Sequence, residues 1–447
     1  MSEKTLVVGM GATGLSCVRY LQSQKRSCVV VDSRDNPPHL AEIKRDYPNV
    51  TIKTGSFDET LFTHAHSIVL SQGVPSQTPA VQAALKAGVD VISDMALFAR
   101  ANPAPYIAIT GTNGKSTVTT LVGEMCKHAL PKVAVGGNLG TPVLDLLSDD
   151  VTCYVLEVSN FQLDHISDFT PAVACVLNTS PDHLDRYDDY SGYIAAKRKI
   201  YTSAKKVVYN RLDSNTIPDD LTHAVSFGLE HPPTAADFGV ITDNSTRYLA
   251  KGEEPWLPVD TLTLAGDHNL LNVLSAFAIG DAYGLQREDM ITALGAFRGL
   301  PHRCEVVLRR DGITWVNDSK GTNVGATLAA LAGLRPNIEG KMVLIAGGLA
   351  KGQDLSPLAS ACKDDVKLVI TIGEAASELA SILADVVPLQ AAASLEEAVQ
   401  TARAHATAGD MVLLSPACAS FDMFESFAKR GEQFTKLVTE IVKHGRT

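Results

Sequence analysis

The chain has 447 residues, 45% of them hydrophobic and 20% charged, with a formal net charge of −11. At roughly 150 residues per domain, that length predicts about three domains, each able to bury its own core. The composition excludes a disordered chain or a coiled coil. No apolar run reaches the ~18 residues of a membrane span, and the acidic balance argues against a broad nucleic-acid footprint.

The opening residues Met1–Thr5 carry an acid and lack a basic or apolar leader, and the eight cysteines form no CxxC pair. A cytoplasmic protein with reduced core thiols, no zinc site and no stable membrane insertion is expected. The first strand, Thr5–Val8, runs into Gly9-Met10-Gly11-Ala12-Thr13-Gly14 and an amphipathic helix from Leu15 to Ser23. A second strand, Cys28–Val31, ends at Asp32. This GxGxxG turn signals a nucleotide-type ligand, either NAD or the diphosphate of another nucleotide conjugate. A helix over Asp94–Ala101 precedes the breaker Ala101-Asn102-Pro103-Ala104-Pro105, which places a hinge and the first boundary near residue 93.

The pattern restarts with the strand Tyr106–Ile109 and the loop Thr110-Gly111-Thr112-Asn113-Gly114-Lys115-Ser116-Thr117. Glycines let successive N–H groups turn inward toward phosphate oxygens, and the helix behind them adds positive charge. Lys115 would reach the β/γ-phosphates, and the hydroxyl of Ser116 or Thr117 would ligate Mg²⁺. Ile109 stands where the strict loop pattern has a glycine. Glu157 ends the strand Tyr154–Leu156 and is the natural carboxylate for Mg²⁺. Asp182-His183 follows the strand Val173–Leu177 and the turn from Asn178 to Pro181, which places it at the same ligand-binding edge. Residues 211–260 read as irregular or antiparallel additions. Gly266-Asp267-His268-Asn269 opens a helix, and Gly299-Leu300-Pro301 marks the second boundary.

The third restart brings strands at Glu305–Leu308, Thr314–Val316 and Met342–Ala346, the last followed by Gly347-Gly348. Asn317-Asp318-Ser319-Lys320 and Lys351 sit at strand ends, where ligands or plain solvated loops are both expected. The whole reads as α/β with three doubly wound, mainly parallel units: residues 1–93, 94–300 and 301–447.

The phosphate loop, together with Leu156-Glu157-Val158-Ser159, Gly266–Asn272 and His302-Arg303, closely resembles the Mur ligase family. Gly136-Gly137-Asn138, Asn178 with Asp182–Tyr187, Asn317–Lys320 and Leu414–Ser420 are similar to its D-glutamate-adding branch. The resemblance implies a Rossmann-like UDP-binding domain, a P-loop-type ATPase domain with a parallel central sheet, and a Rossmann-like C-terminal domain for the amino acid. It implies UDP in the first domain in place of NAD, in a pocket lined by Ala12, Thr13, Asp32, Ser33, Arg34 and Gly73, with Asn138 near the muramoyl end.

The implied activity is an ATP-dependent amide ligase of peptidoglycan synthesis, monomeric, adding D-glutamate to UDP-N-acetylmuramoyl-L-alanine through an acyl phosphate. ATP would bind to Gly111, Thr112, Asn113, Gly114, Lys115, Ser116, Thr117, Asn269, Asn272, Arg303 and Asp318. Two Mg²⁺ ions are implied, one near Ser116 and Glu157, the other near Glu157, His183 and a carbamylated lysine that maps to Lys197, with Lys199 two residues on. Lys115, Glu157, His183 and Lys197 are the implied catalytic groups. Lys320, Thr322, Lys351, Ser420, Phe421 and Phe427 are the implied D-glutamate contacts.

Overall fold

The computed structural model describes residues 4–442 except 103, 183–185, 188, 263–265 and 298. Three runs of β-branched and apolar residues each build one sheet. The first comprises β1 (Thr5–Val8), β2 (Cys28–Asp32), β3 (Thr51–Thr54), β4 (Ser67–Leu70) and β5 (Asp90–Ile92). It is wholly parallel, in the order β3-β2-β1-β4-β5. Helices cover both faces of such sheets, so its inner strands are continuous apolar runs.

The second sheet contains β6 (Tyr106–Thr110), β7 (Val133–Gly137), β8 (Cys153–Glu157), β9 (Val173–Val176), β10 (Val207–Asn210), β11 (Ala224–Phe227), β12 (Phe238–Asp243), β13 (Thr246–Lys251) and β14 (Glu254–Pro258). Its order is β14-β13-β12-β11-β10-β9-β6-β8-β7. Pairing is parallel from β12 through β7, while β12-β13 and β13-β14 are antiparallel. The polar stretch 211–260, expected as irregular or antiparallel additions, supplies a further parallel strand, β11, and then an antiparallel meander from β12 to β14.

In a compact unit made of residues 1–179, 186–259 and 272–297, these two sheets share one apolar core. The helix Asp94–Ala101, expected as a hinge element, is embedded there: Met95, Ala96, Leu97 and Phe98 are buried. The Phe98 ring meets Tyr106 edge-on at 5.7 Å and Tyr154 at 5.1 Å, both residues of the second sheet.

The other compact unit holds residues 180–185, 260–271 and 298–447. Its sheet comprises β15 (Glu305–Arg310), β16 (Ile313–Asn317), β17 (Met342–Gly347), β18 (Val366–Ile372), β19 (Leu389–Ala391) and β20 (Met411–Leu414). The order is β15-β16-β20-β17-β18-β19, parallel except for the β15-β16 hairpin. Helices Leu395–His405 and Phe427–Leu437 cover one face around Trp315, and Val324–Leu334 lies in the core of the other.

All eight cysteines are unpaired, seven of them buried. Among the described residues, no helix is long and apolar enough to cross a membrane. Replacing Phe98 with Ala should cost about 3–5 kcal/mol. Because that ring belongs to the core both sheets share, urea denaturation should show the two sheets losing stability together.

Candidate active site

In an open parallel sheet, ligands bind beyond the carboxyl ends of the strands, where the strand order reverses. Each sheet has one such point, and a glycine-rich turn stands at each. Gly9–Gly14 follows β1, between β2 and β4; the phosphate loop follows β6, between β9 and β8; Gly347-Gly348 follows β17, between β20 and β18.

The phosphate loop is the most heavily braced. Gly114 takes φ +80° as it turns into the helix Lys115–Ala129, and a Cβ there would meet Asn272 Oδ1 at 2.5 Å, so glycine is required. Asn178, at the end of the neighbouring strand, clamps the loop from the side. Its Oδ1 accepts from Asn113 N (2.8 Å), its Nδ2 donates to Asn113 O (3.0 Å), and its carbonyl accepts from Thr112 N (3.0 Å). Thr112 Oγ1 shares a hydrogen bond with Tyr193 OH at 2.9 Å.

Two lysines converge on one carbonyl of this loop. Lys115 Nζ donates to Gly111 O and Thr112 O, each at 2.8 Å. Lys197 Nζ donates to Gly111 O at 3.0 Å and sits 4.5 Å from the centroid of the Tyr193 ring. Tyr193 and Lys197 are four apart on the helix Tyr190–Arg198, hence on one face. Lys197 is 1% exposed, whereas Lys199 points outward and donates to Asp164 O. The lysine at the loop is therefore Lys197.

The register of β8 against β6 pairs Glu157 with Ile109, immediately before the loop. Glu157 is 3% exposed. Its Oε1 accepts from Asn138 Nδ2 at 2.8 Å, and its Oε2 is buried with no hydrogen-bond partner. A buried carboxylate oxygen left without a donor is costly, and a cation would satisfy it. Ser116 and Thr117 are buried in the first turn of the loop's helix. His183 lies outside the described residues.

Around the first glycine turn, Ala12 and Thr13 open the helix Ala12–Ser23. Asp32 Oδ2 accepts from Met10 N at 2.7 Å, and Arg34 bonds both carboxylate oxygens, at 2.9 and 2.7 Å. Burial alone would raise this carboxyl, but the Arg34 guanidinium and the two backbone amides outweigh it and hold it below the usual range. Ser33 is exposed, and Gly73 opens onto free space. Asn138 lies apart from this turn, on Glu157.

In the second unit, the expected amino-acid contacts fall on loops after β16, β17 and β20, except Phe427, which opens the helix Phe427–Leu437. Lys320 Nζ lies 3.8 Å from the Phe427 ring centroid, and Lys351 Nζ 5.2 Å from that of Phe421. A two-way backbone pairing of Leu349 with Ala419 ties the Lys351 loop to buried Ser420. Thr322 is half-buried after Lys320. Asn269, Arg303 and Asp318 also belong to this unit, whereas the phosphate loop and Asn272 belong to the other.

Asp318 is buried, accepting from Ser415 Oγ (2.7 Å) and Cys304 N (3.2 Å). Burial pushes its carboxyl up to about 6 despite those donors. Sequence reasoning assigned no role to Asn178, Tyr193 or Ser415. Asn178 and Ser415 stood within the stretches that carry the family resemblance, and Tyr193 carried a signal in its four-residue spacing from Lys197. A carboxyl raised in the folded state stabilises fully below its unfolded value near 3.8 and loses that contribution as pH rises through about 6. In urea denaturation at stepped pH, the stability of the parent protein relative to Asp318→Asn should therefore fall between pH about 4 and 6, then level off.

Residues 3–93 match the family model for the Mur ligase MurD-like N-terminal domain, 109–280 the Mur ligase middle domain, and 302–418 the Mur ligase glutamate ligase domain. The chain is 46% identical over 439 residues to a UDP-N-acetylmuramoylalanine–D-glutamate ligase of Legionella pneumophila, covering 97% of this chain and 98% of that one. It is 47% identical over 438 residues to the protein of the same name from Pseudomonas aeruginosa, covering 98% of each. Among solved structures it resembles the UDP-N-acetylmuramate-alanine ligase MurC of Thermotoga maritima, with a TM-score of 0.63 at 18% identity over 98% of this chain and 99% of that one. With three consecutive domain models and near-full-length relatives in agreement, the chain belongs to the Mur ligase family.

Proposed function

We propose that this chain is an ATP-dependent ligase of peptidoglycan synthesis that joins D-glutamate to UDP-N-acetylmuramoyl-L-alanine through an acyl phosphate. The observation that carries this reading is the unpartnered, buried Glu157 oxygen at the end of the strand beside a lysine-bearing phosphate loop. The name shared by relatives 46–47% identical over nearly the whole chain supports the choice of substrates.

We assign residues 1–93 to the UDP-sugar, 94–300 to ATP and 301–447 to the amino acid. Ala12, Thr13, Asp32, Ser33, Arg34 and Gly73 would hold the uridine diphosphate, with Asn138 toward the muramoyl end. The pair of hydrogen bonds from Arg34 makes Asp32 a brace for that guanidinium, which suits an anionic diphosphate better than the acid-to-ribose contact of a dinucleotide site.

The donor set at the loop fits Mg²⁺, a hard ion that takes oxygen ligands. Ser116 and Glu157 would hold one ion, and Glu157, His183 and Lys197 as its carbamate the other. Lys197 Nζ would form an N–C bond to carbon dioxide and release a proton, turning a buried donor into an oxygen ligand. When bound, the ions supply charge neutralisation between two anions, the polyphosphate and the attacking carboxylate.

The residues around them hold the geometry. Lys115 exchanges the Gly111 and Thr112 carbonyls for phosphate oxygens, while Asn178 and Tyr193 keep the loop in place. Asn269, Asn272, Arg303 and Asp318 complete the nucleotide contacts. An oxygen of the L-alanyl carboxylate attacks the γ-phosphorus, the bond to the β-phosphate oxygen breaks, and ADP leaves. The D-glutamate amine then gives up a proton and attacks the acyl carbonyl, and inorganic phosphate departs. Lys320 and Lys351, with Thr322, Ser420 and the Phe421 and Phe427 rings, would hold the two carboxylates of D-glutamate.

Purified protein given ATP and UDP-N-acetylmuramoyl-L-alanine should release ADP with D-glutamate and not with L-alanine or diaminopimelate; equal turnover with all three overturns the amino-acid assignment. An ¹⁸O label in the alanyl carboxyl should appear in the inorganic phosphate, and its absence overturns the acyl phosphate. Lys115→Ala should lower turnover by roughly 10³-fold. The same variant should change stability by about 1 kcal/mol or less, read by thermal melting.

A further inference from the structure

Arg430, on the helix Phe427–Leu437, is 1% exposed, and every acceptor it meets is neutral. Its Nε donates to Ser319 Oγ at 3.0 Å. One terminal nitrogen donates to Ser319 O at 2.9 Å and Cys418 O at 3.2 Å, and the other reaches Cys418 O at 3.3 Å. Asp422 and Asp318 favour its charge from a distance, but burial outweighs them, and a buried cation with no carboxylate among its hydrogen-bond partners is expensive for stability alone. What it spans is specific. Ser319 immediately precedes Lys320 on the loop after β16, and Cys418 stands two residues before Ser420 on the loop after β20.

Both loops need holding. Ala417 is forced to φ +59°, an unfavourable left-handed conformation for alanine, directly before the carbonyl that Arg430 grips. Ser319 Oγ also donates to Phe427 O, so the loop bearing Lys320 and the residue whose ring lies beneath the Lys320 ammonium are fastened together. The next residue, Gly431, has no Cβ because the His302 ring occupies that space, and Asn317 Nδ2 bonds Gly431 O at 3.0 Å. The helix cannot shift along its axis without breaking these contacts. Ser426 Oγ caps its start by accepting from Lys429 N.

We propose that Arg430 is a positioning residue for the amino-acid substrate: its planar fork sets the spacing between the Lys320 loop and the Ser420 loop, and so the fit of the two carboxylates of D-glutamate. This rests on the reading of Lys320 and Ser420 as D-glutamate contacts. A lysine at 430 keeps the charge but cannot span a hydroxyl and two carbonyls in one plane.

The test is steady-state kinetics of the full chain with all three substrates varied, alongside thermal melting. In Arg430→Lys, KM for D-glutamate should rise about tenfold while KM for ATP stays within about twofold. In Arg430→Ala, millimolar methylguanidine should bring the D-glutamate KM back toward that of the parent. An unchanged D-glutamate KM overturns the proposal, as does a parallel loss in all three KM values that follows the melting temperature. If the parent protein itself fails to use D-glutamate, the ligase reading falls instead, which separates the two failures.

Discussion

Two ammonium groups share one carbonyl oxygen, that of Gly111, at the start of the phosphate loop. Like charges brought together in a partly dry site call for the compensating dipoles of the backbone, and the carbamate proposed at Lys197 would remove one of the two. The surroundings serve that constraint. Asn178 spends both ends of its amide on the Asn113 backbone, and Tyr193 places its ring beneath one ammonium and its hydroxyl on Thr112. The β6-β8 register brings a carboxylate to the same end of the sheet. A loop held only by its own turns would move away from these charges, whereas this one is fixed from the neighbouring strand and from the helix that carries Lys197.

The chemistry follows from an imbalance. Glu157 is satisfied at one oxygen by Asn138 and left without a donor at the other. An enzyme that joins two anions, a carboxylate and a polyphosphate, must lower their repulsion before it can align them. Lys115 on the loop and an open carboxylate oxygen suited to a divalent cation meet that need at the same end of the sheet. In the second unit a buried guanidinium, that of Arg430, joins two loops through neutral acceptors, and the proposed task there is a different one, to grip a dicarboxylate at a set width.

The fold was largely legible because buried parallel strands are written as unbroken apolar runs, such as Val29-Val30-Val31 and Val343-Leu344-Ile345, and because a glycine turn follows the strand at each reversal of strand order. The phosphate loop and Glu157 were legible for the same reason: strand ends are where ligands bind. The bracing was not. Asn178 and Arg430 act on backbone atoms of distant segments, and a polar residue that bonds a carbonyl has no periodicity to distinguish it from one that faces water. The choice between Lys197 and Lys199 lay beyond sequence spacing and was decided by which face of a short helix turns toward Gly111. The stretch 211–260 looked weak because the strands of its β12–β14 meander run from buried apolar residues into exposed polar ones.

The apolar core common to the first two sheets separates evolutionary modularity from mechanical modularity. Family models divide the chain close to residue 93, yet Phe98 and its helix lie against rings from the second sheet. A chimera cut at that boundary would inherit half of an interlocking surface from each parent. Recombining first domains among relatives thus demands grafting the partner side chains along with the segment.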